Sequence, residues 1–276
     1  MTNSNSPLVD RYGEEAAPLQ QIDGYSRLEQ MIGRGSCRSF KQAKIDPALI
    51  QLLCAASLAS PTKSDLQQRD IVVLSDPDLK SQIVQLMSGQ GWIANAPHLL
   101  VFCGNNRRQR RLHELRNRPF VNDHLDAFFN ASVDAGVALS AFVIAAEAVG
   151  LGCCPISAIR NAPVEVSNLL GLPDHVFPVA GIALGYPAET IPTVSPRLPM
   201  RATVHMDSYT EDKLDDEIEA YDRRRDGVLP YEQQRAENKF GTSTSYGWSE
   251  DKARQYTQQE RQDFGRFIRD KGFDLS

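Results

Sequence analysis

DAFFNASVDAGVALSAFVIAAEAVGLG, residues 126–152, is the stretch on which the fold of this chain depends. Small and apolar side chains recur at nearly every helical turn and leave no broad polar face, which predicts a core helix buried on most sides. Asp126, Asn130, Asp134 and Glu147 interrupt the stretch, and charges inside a bilayer are costly, so we expect no membrane span. The small side chains let a second helix approach closely, either another core helix or the same helix of a second subunit.

The composition is that of an ordinary soluble globular protein. The 276 residues are 41% hydrophobic and 24% charged, with a formal net charge of −5 and a pI near 5.6. This acidic balance gives no general attraction to nucleic acid or to anionic membranes. No basic and apolar leader opens the chain, so we expect a cytoplasmic protein.

The five cysteines and five histidines indicate neither a disulfide framework nor a metal site. An odd number of cysteines without a C-x-x-C pair is typical of reduced, structural thiols. For the adjacent Cys153 and Cys154 we favour two small buried residues over a strained vicinal disulfide. The histidines lack paired ligand spacing, so we expect no metal, and no nucleophile–base triad is apparent.

The chain divides by composition into three parts. Residues 1–24 combine Pro, Gly and mixed charges, which predicts an N-terminal arm. Residues 25–208 alternate strand and helix patterns and form the main domain. Residues 209–276 are polar and charged, with too few apolar residues for a separate core, so we expect a helical C-terminal extension that packs on the core or on a partner subunit.

Several loops of the main domain carry groups suited to a phosphate, a sugar chain or a flat heteroaromatic ring. They are RGSCR at residues 34–38, the hydroxyl-rich SPTKSDLQ at residues 60–67, the amide of Gln90, the small-residue turn at Ser157 and Ala158, and Arg197. The arginine run at residues 107–118 has two interpretations: a solvated surface helix or loop, which we favour, and a mobile flap near an anionic ligand.

In their common order, these motifs resemble the nitroreductase family of flavoproteins, in particular its oxygen-insensitive NADPH nitroreductases and NADPH:FMN oxidoreductases. The resemblance covers residues 25–225 well and the tail loosely. It is carried by residues 34–38, 60–67, Gly89-Gln90, 145–152, 155–161, 184–187 and 196–199, followed by Val204-His205.

The resemblance implies an α+β fold, a three-layer sandwich with a mixed, mainly antiparallel sheet flanked by helices, in an intertwined homodimer. One FMN would be bound at each of two sites in the subunit interface, and residues 25–208 would be the FMN-binding domain. Hydride would pass from NADPH or NADH to flavin N5 and then, in a ping-pong cycle, to a nitroaromatic, a quinone or free flavin. Because the chemistry lies at N5, no side chain is expected to be catalytic. The alternatives are a relative with a specialised acceptor, such as a dehalogenase or ring-modifying flavoprotein, and a flavin-binding protein without turnover.

Residue roles also follow from the resemblance. The phosphate and ribityl chain would be held by Arg34, Ser36, Arg38 and Arg197, with Gly35 and Ser195 in the same motifs. The ribityl chain and the ring edge would be met by Thr62, Ser64, Gln67 and Gln90, and the turn of Pro155, Ile156, Ser157 and Ala158 would pass behind the ring. Arg235 and Arg261 are candidate ligands of the extra phosphate of NADPH.

The chain departs from the family pattern at three places. It has Arg34-Gly35 where the branch often has His-Arg, and Ser195 where the branch often has Lys. It has Ser157-Ala158 in place of Gly-Gly, and we expect the added Cβ atoms to narrow the space above the ring and to alter substrate range more than flavin binding.

Overall fold

The computed structural model describes residues 6–14, 22–87, 90–188 and 193–276. These residues fall into two compact units. The smaller unit comprises the described residues up to Gly35 together with residues 193–260, and the larger comprises residues 36–188 together with Arg261–Ser276.

Strands and helices are numbered in chain order through both units. The strands are β1 (Arg69–Leu74), β2 (His98–Asn105), β3 (Gly152–Ile156) and β4 (Val176–Gly185). The helices are α1 (Pro7–Tyr12), α2 (Tyr25–Ile32), α3 (Pro47–Leu58), α4 (Pro77–Leu86), α5 (Arg107–Arg116), α6 (Leu125–Ala148), α7 (Pro163–Leu169), α8 (Leu214–Val228), α9 (Glu237–Phe240), α10 (Trp248–Gln255) and α11 (Phe264–Asp270).

The larger unit is built on a four-stranded sheet in the order β1-β2-β4-β3. Every pairing is antiparallel, and one row across the sheet joins Val72, Val101, Gly181 and Ile156. The expected α+β class is therefore confirmed. The sheet was expected to be mixed but mainly antiparallel, and the pairings among the described residues are all antiparallel.

Helices cover both faces of this sheet because its central strands are apolar on both sides. Along β2, Leu99 and Val101 pack with α4 and α7, whereas Leu100 and Phe102 face α3 and α6. Successive side chains of a strand point to opposite faces, so one uninterrupted apolar run serves two cores. The arrangement is the predicted three-layer sandwich.

Among the described residues, helix α6 has one buried side and one exposed side. Its buried residues include Ala131, Ala138 and Phe142, which lie against the sheet or neighbouring elements. The other side carries exposed apolar residues: Leu125, Phe129, Val133, Val137 and Ile144. We call these five residues the apolar stripe. The prediction of a helix buried on most sides is therefore wrong for the described residues of a single chain, among which the sheet and α3 pack on one face of α6. By length and composition alone α6 is able to cross a membrane, but its buried face packs as that of a globular core helix.

The core on the α6 side gives a test of this packing. Phe142 and Phe102 are fully buried, with ring centroids 5.6 Å apart in an edge-to-face arrangement. We expect Phe142→Ala to lower the free energy of unfolding by about 3–5 kcal/mol, because it leaves a cavity between α6 and the sheet. Urea unfolding followed by circular dichroism measures this loss. The control Leu115→Ala, at an exposed position of α5, is expected to change stability by less than about 0.5 kcal/mol; equal losses would contradict the packing described.

Candidate functional site

The segment with Ser36 and Arg38 runs along the outer edge of β3. The backbone N–H of Cys37 donates to the carbonyl of Cys153 over 3.0 Å, and Phe40 forms a bridge with Pro187. Cys37 and Phe40 are buried, whereas Arg38 is exposed. The two buried side chains anchor the segment and leave the guanidinium of Arg38 available to a ligand.

This close approach depends on Gly152. A Cβ atom there would lie 2.6 Å from the Sγ of Cys37 and 3.0 Å from the Cγ of Pro187. No side chain other than hydrogen fits without displacing the segment. The sequence pattern placed Gly152 within residues 145–152 and gave it no role in the site.

At the same edge of the sheet, Arg38 approaches the 3₁₀ turn that directly follows Gln90. The Arg38 guanidinium carbon lies 5.8 Å from the ring centroid of Trp92, within the 3₁₀ turn Gly91–Asn95. The side-chain amide of Gln42 donates to the Asn95 carbonyl over 2.8 Å and ties the turn to the segment that follows Arg38. Gly89, part of the Gly-Gln motif, lies outside the described residues.

Beyond β3, the predicted ring turn forms a short 3₁₀ helix, Ser157–Arg160. The Ala158 side chain belongs to the core cluster and is buried, whereas Ser157 is exposed. Arg261 donates from Nε to the Oδ1 of Asn161 over 3.0 Å and from Nη2 to the Oγ of Ser157 over 3.4 Å. Arg261, a candidate ligand of the nucleotide phosphate, therefore contacts the turn that the resemblance places behind the flavin ring.

Two cationic groups lie beside this turn. The guanidinium of Arg160 donates to the Val179 carbonyl. Burial lowers the pKa of Arg160, and the charge of Arg261 lowers it further, so the two arginines are near enough to repel. Such a pair creates a positive potential that favours an anionic ligand at the turn.

The loop of residues 60–67 adopts a strained conformation. Ser64, Asp65 and Gln67 have φ angles of 49°, 56° and 53°, which side-chain-bearing residues rarely adopt. Within the loop, Thr62 Oγ1 accepts a hydrogen bond from the Gln67 N–H over 3.3 Å. Strain of this kind persists only where surrounding contacts enforce it, and it clusters at ligand sites.

Helix α5 contains most of the arginine run and supports this loop. Arg108 donates to the carbonyl of Gln67 and, over 2.6 Å, to the Oδ1 of Asp70. Arg110 makes a two-pronged ion pair with Asp123, and the hydrogen bond from Arg110 holds the pKa of Asp123 below its usual range. The run is therefore helical up to Arg116, and Arg108 is hydrogen-bonded to the backbone of the loop.

The loop and the Arg38 segment lie at opposite edges of the sheet. The loop precedes β1, whereas Arg38 flanks β3, and two strands separate these edge strands. At about 4.8 Å per strand, the edges are roughly 14 Å apart. A single chain therefore does not bring Thr62, Ser64 and Gln67 against Arg38.

In the smaller unit, Arg11 forms hydrogen bonds with backbone atoms of the other residues predicted to bind the phosphate. Its buried guanidinium donates to the carbonyls of Ile32 over 2.9 Å, Ser195 over 2.6 Å and Arg34. The carbonyl of Arg11 accepts from the N–H of Arg197 over 2.7 Å. Sequence reasoning missed Arg11, because the N-terminal arm carried no recognisable motif and the partners of Arg11 are backbone atoms.

Arg235 forms an ion pair with Asp251. Its Nε lies 3.3 Å from the Oδ1 of Asp251, a buried carboxylate that also accepts from the Tyr246 hydroxyl over 2.8 Å. Burial raises the pKa of Asp251, but hydrogen bonds from Lys252 and Tyr246 outweigh it and leave that pKa lowered. The Arg235 side chain is nevertheless 47% exposed.

Comparison with known proteins decides the family. Residues 31–186 match the nitroreductase family, and residues 195–276 match the C-terminal domain of the nitroreductase family. The chain belongs to the nitroreductase family.

Named relatives and solved structures are similar over most of the chain. An FMN reductase [NAD(P)H] of Bacillus subtilis is 34% identical over 200 residues, which cover 71% of this chain and 80% of the relative. The oxygen-insensitive NADPH nitroreductase of Salmonella typhimurium is 32% identical over 182 residues, 66% of this chain and 74% of the relative. The NADPH:FMN oxidoreductase from Vibrio harveyi, solved with NAD+, superimposes with a TM-score of 0.76 at 27% identity and covers 89% and 97% of the two chains. The structure of B. megaterium NfrA2 superimposes with a TM-score of 0.81 at 28% identity and covers 91% of this chain and 98% of the NfrA2 chain.

The tight edge of this nitroreductase sheet can be tested with Gly152→Ala. We expect the added methyl group to displace the segment with Cys37 and to lower the free energy of unfolding by about 1–3 kcal/mol. The matched control is Gly181→Ala on β4, where the nearest atom, the Cβ of Ile156, is 3.6 Å away and no atom must move. Urea unfolding of both variants measures the difference; a Gly152→Ala variant as stable as Gly181→Ala would refute the close approach.

Proposed function

We propose that this protein is an FMN-dependent oxidoreductase that transfers hydride from NADPH or NADH, through FMN, to a small-molecule electron acceptor. The observation that carries the proposal is the family match over residues 31–186, which contains the Arg38 segment, the loop and the turn described above. Relatives named FMN reductase, NADPH-flavin oxidoreductase and oxygen-insensitive NADPH nitroreductase support it. As acceptors we propose nitroaromatics, quinones or free flavin.

The described residues fit FMN in their donor chemistry. Arg38 is exposed and is two residues from the hydroxyl-bearing Ser36, and guanidinium groups bind phosphate dianions through charge-assisted, often bidentate hydrogen bonds. Arg34 and Arg197, gathered by Arg11 in the smaller unit, are proposed as the other phosphate ligands. When bound, FMN supplies two-electron chemistry at its N5 atom.

The turn at Ser157 supplies the electrostatics for the ring. Arg160 and Arg261 place positive charge beside the turn, which favours the negative charge that a flavin ring carries after two-electron reduction. Proton transfer by a protein side chain is not part of this proposal. We propose that the residues of the site act by binding, orienting and stabilising.

For the nucleotide, Arg261 is the better supported of the two tail arginines. It is held by Ser157 and Asn161 at the turn that we propose to pass behind the flavin ring. Arg235 is paired with Asp251, so only the exposed part of its guanidinium is available to the extra phosphate of NADPH.

We also propose a homodimer in the cytoplasm, with FMN at the subunit interface. The support is the apolar stripe of α6, whose exposure to water is unfavourable and whose burial by a second copy would be favourable. The loop of residues 60–67 is hydrogen-bonded to the same helix, because the backbone N–H groups of Lys63 and Gln68 donate to Asp134, and Ser64 and Gln67 between them are exposed. We propose that they meet the FMN held by the partner. The division into an arm (residues 1–24), an FMN-binding domain (25–208) and an extension (209–276) remains part of this proposal.

The activity is tested by reconstitution with FMN and anaerobic titration with NADPH and NADH. We expect a bound flavin that either nucleotide reduces and that nitrofurazone, a benzoquinone or free FMN reoxidises. Arg38→Met is expected to weaken FMN binding by about 10- to 100-fold, because it removes charge-assisted bonds to phosphate. Arg223→Met, at an exposed position of α8, is the control.

Each failure of this test has a distinct meaning. No bound flavin, or a flavin that both nucleotides leave oxidised, would refute the proposed oxidoreductase. Bound flavin without nucleotide oxidation would favour a non-catalytic flavin protein. Reduction by the nucleotide without reoxidation by these three acceptors would favour a specialised acceptor, for which an acceptor screen is then needed.

The dimer is tested by placing a charge within the apolar stripe. We expect Val133→Glu to give a monomer with weakened FMN binding, because a carboxylate cannot be buried there without a partner. Light scattering after size-exclusion chromatography measures the mass. The control Leu115→Glu places the same charge at an exposed apolar position of α5 and is expected to leave the dimer intact; an unchanged mass for Val133→Glu would contradict the proposed interface.

A further inference from the structure

Asp134 is a buried carboxylate in the middle of the apolar helix α6, with 2% of its surface exposed. Its Oδ1 accepts from the backbone N–H of Lys63 over 3.0 Å, and its Oδ2 accepts from the backbone N–H of Gln68 over 3.0 Å. The two donors lie near the two ends of the strained part of the loop. One side chain therefore fixes the distance between those ends.

The loop depends on contacts of this kind because its own backbone is unfavourable. Three residues between Lys63 and Gln68 have positive φ angles without being glycine, and such conformations persist only when the surroundings enforce them. Carbonyl groups of the region are held from other elements: Arg69 donates to the carbonyls of Leu58 and Ser60, and Gln109 donates to that of Leu66. Asp134, in contrast, lies on α6 and accepts hydrogen bonds from the backbone N–H groups of Lys63 and Gln68.

The requirement for a carboxylate follows from hydrogen-bond chemistry. A carboxylate offers two acceptor oxygens, whereas an amide offers one oxygen and one NH₂ group, which would face a backbone N–H donor. The cost of burying the Asp134 charge is offset by these two hydrogen bonds and by the nearby Arg69. Burial lowers the pKa of Arg69, and the charge of Asp134 opposes that shift, which places the two charges close together.

We propose that Asp134 is a positioning residue for cofactor binding: it holds the loop of residues 60–67 in the conformation in which Thr62, Ser64 and Gln67 meet the flavin. The inference rests on the proposed function, since it takes the loop to be a flavin-binding loop. Asp134 does not itself touch the cofactor. It acts by fixing the backbone that presents the three side chains.

The experiment compares the full-length wild type with Asp134→Asn and Asp126→Asn. The substitution at Asp134 keeps the size of the side chain and removes one acceptor. Asp126 lies in the first turn of the same helix, is exposed and bonds the side chain of Asn130, so it is the matched control. We expect the FMN Kd of Asp134→Asn to rise by about tenfold or more, and that of Asp126→Asn to stay within about twofold of the wild-type value. In the apoprotein, we expect amide hydrogen exchange at Lys63 and Gln68 to accelerate only in Asp134→Asn.

Affinity and stability are measured separately, because a purely structural role would lower the melting temperature without changing an FMN Kd measured well below it. An Asp134→Asn variant that folds, melts earlier and binds FMN like the wild type would overturn the inference. A wild type that fails to bind FMN would overturn it together with the proposed function, whereas equal affinities of wild type and Asp134→Asn would overturn it alone. If Asp134→Asn does not fold, Gln109→Met is measured in its place. This substitution removes the hydrogen bond from Gln109 to the Leu66 carbonyl of the same loop and leaves α6 unaltered. An FMN Kd raised several-fold supports loop positioning, and an unchanged Kd overturns it.

Discussion

Helix α6 is apolar on two faces, and the described residues of one chain bury one of them. On the covered face, Ala138 and Phe142 pack against the sheet; on the other, the apolar stripe is exposed to water. Burying apolar surface contributes about 25 cal/mol per Å², so the uncovered face favours association. Asp134 lies within this helix and is bonded to the loop of residues 60–67. The helix that forms the core therefore also holds the loop, through Asp134.

The candidate site combines rigid and strained backbone. Along β3, the absence of a side chain at Gly152 allows the Arg38 segment to approach, and the buried Cys37 and Phe40 hold that segment in place. The loop, in contrast, keeps unfavourable φ angles because Asp134, Arg69 and other side chains hold its backbone groups. In both places exposed side chains proposed to meet the ligand, Arg38 in one and Ser64 and Gln67 in the other, stand on backbone that other residues hold. Such preorganisation favours binding because less conformational entropy is lost when the ligand arrives.

Local features of the fold were predictable from the sequence. The boundaries of β1 and β4 follow from β-branched and apolar runs, and Asp46-Pro47 marks the start of α3, where the Asp46 carboxylate accepts from the N–H of Ala48. The exposed face of α6 was not predictable, because an apolar pattern does not reveal whether the same chain or another one covers it. Arg11 and Asp134 were missed for a related reason. Their partners are backbone atoms distant in sequence, and backbone atoms leave no residue signature.

The Ser157-Ala158 departure from Gly-Gly has a different consequence at each position. We expected both added side chains to narrow the space above the ring. The Ala158 side chain is instead buried in the core cluster that contains Ile159 and Val166. Ser157 is exposed, and its hydroxyl contacts Arg261. Because a glycine has no such hydroxyl, this contact is specific to the serine. Of the two residues, Ser157 is therefore the one whose side chain contacts a cationic tail residue at the turn.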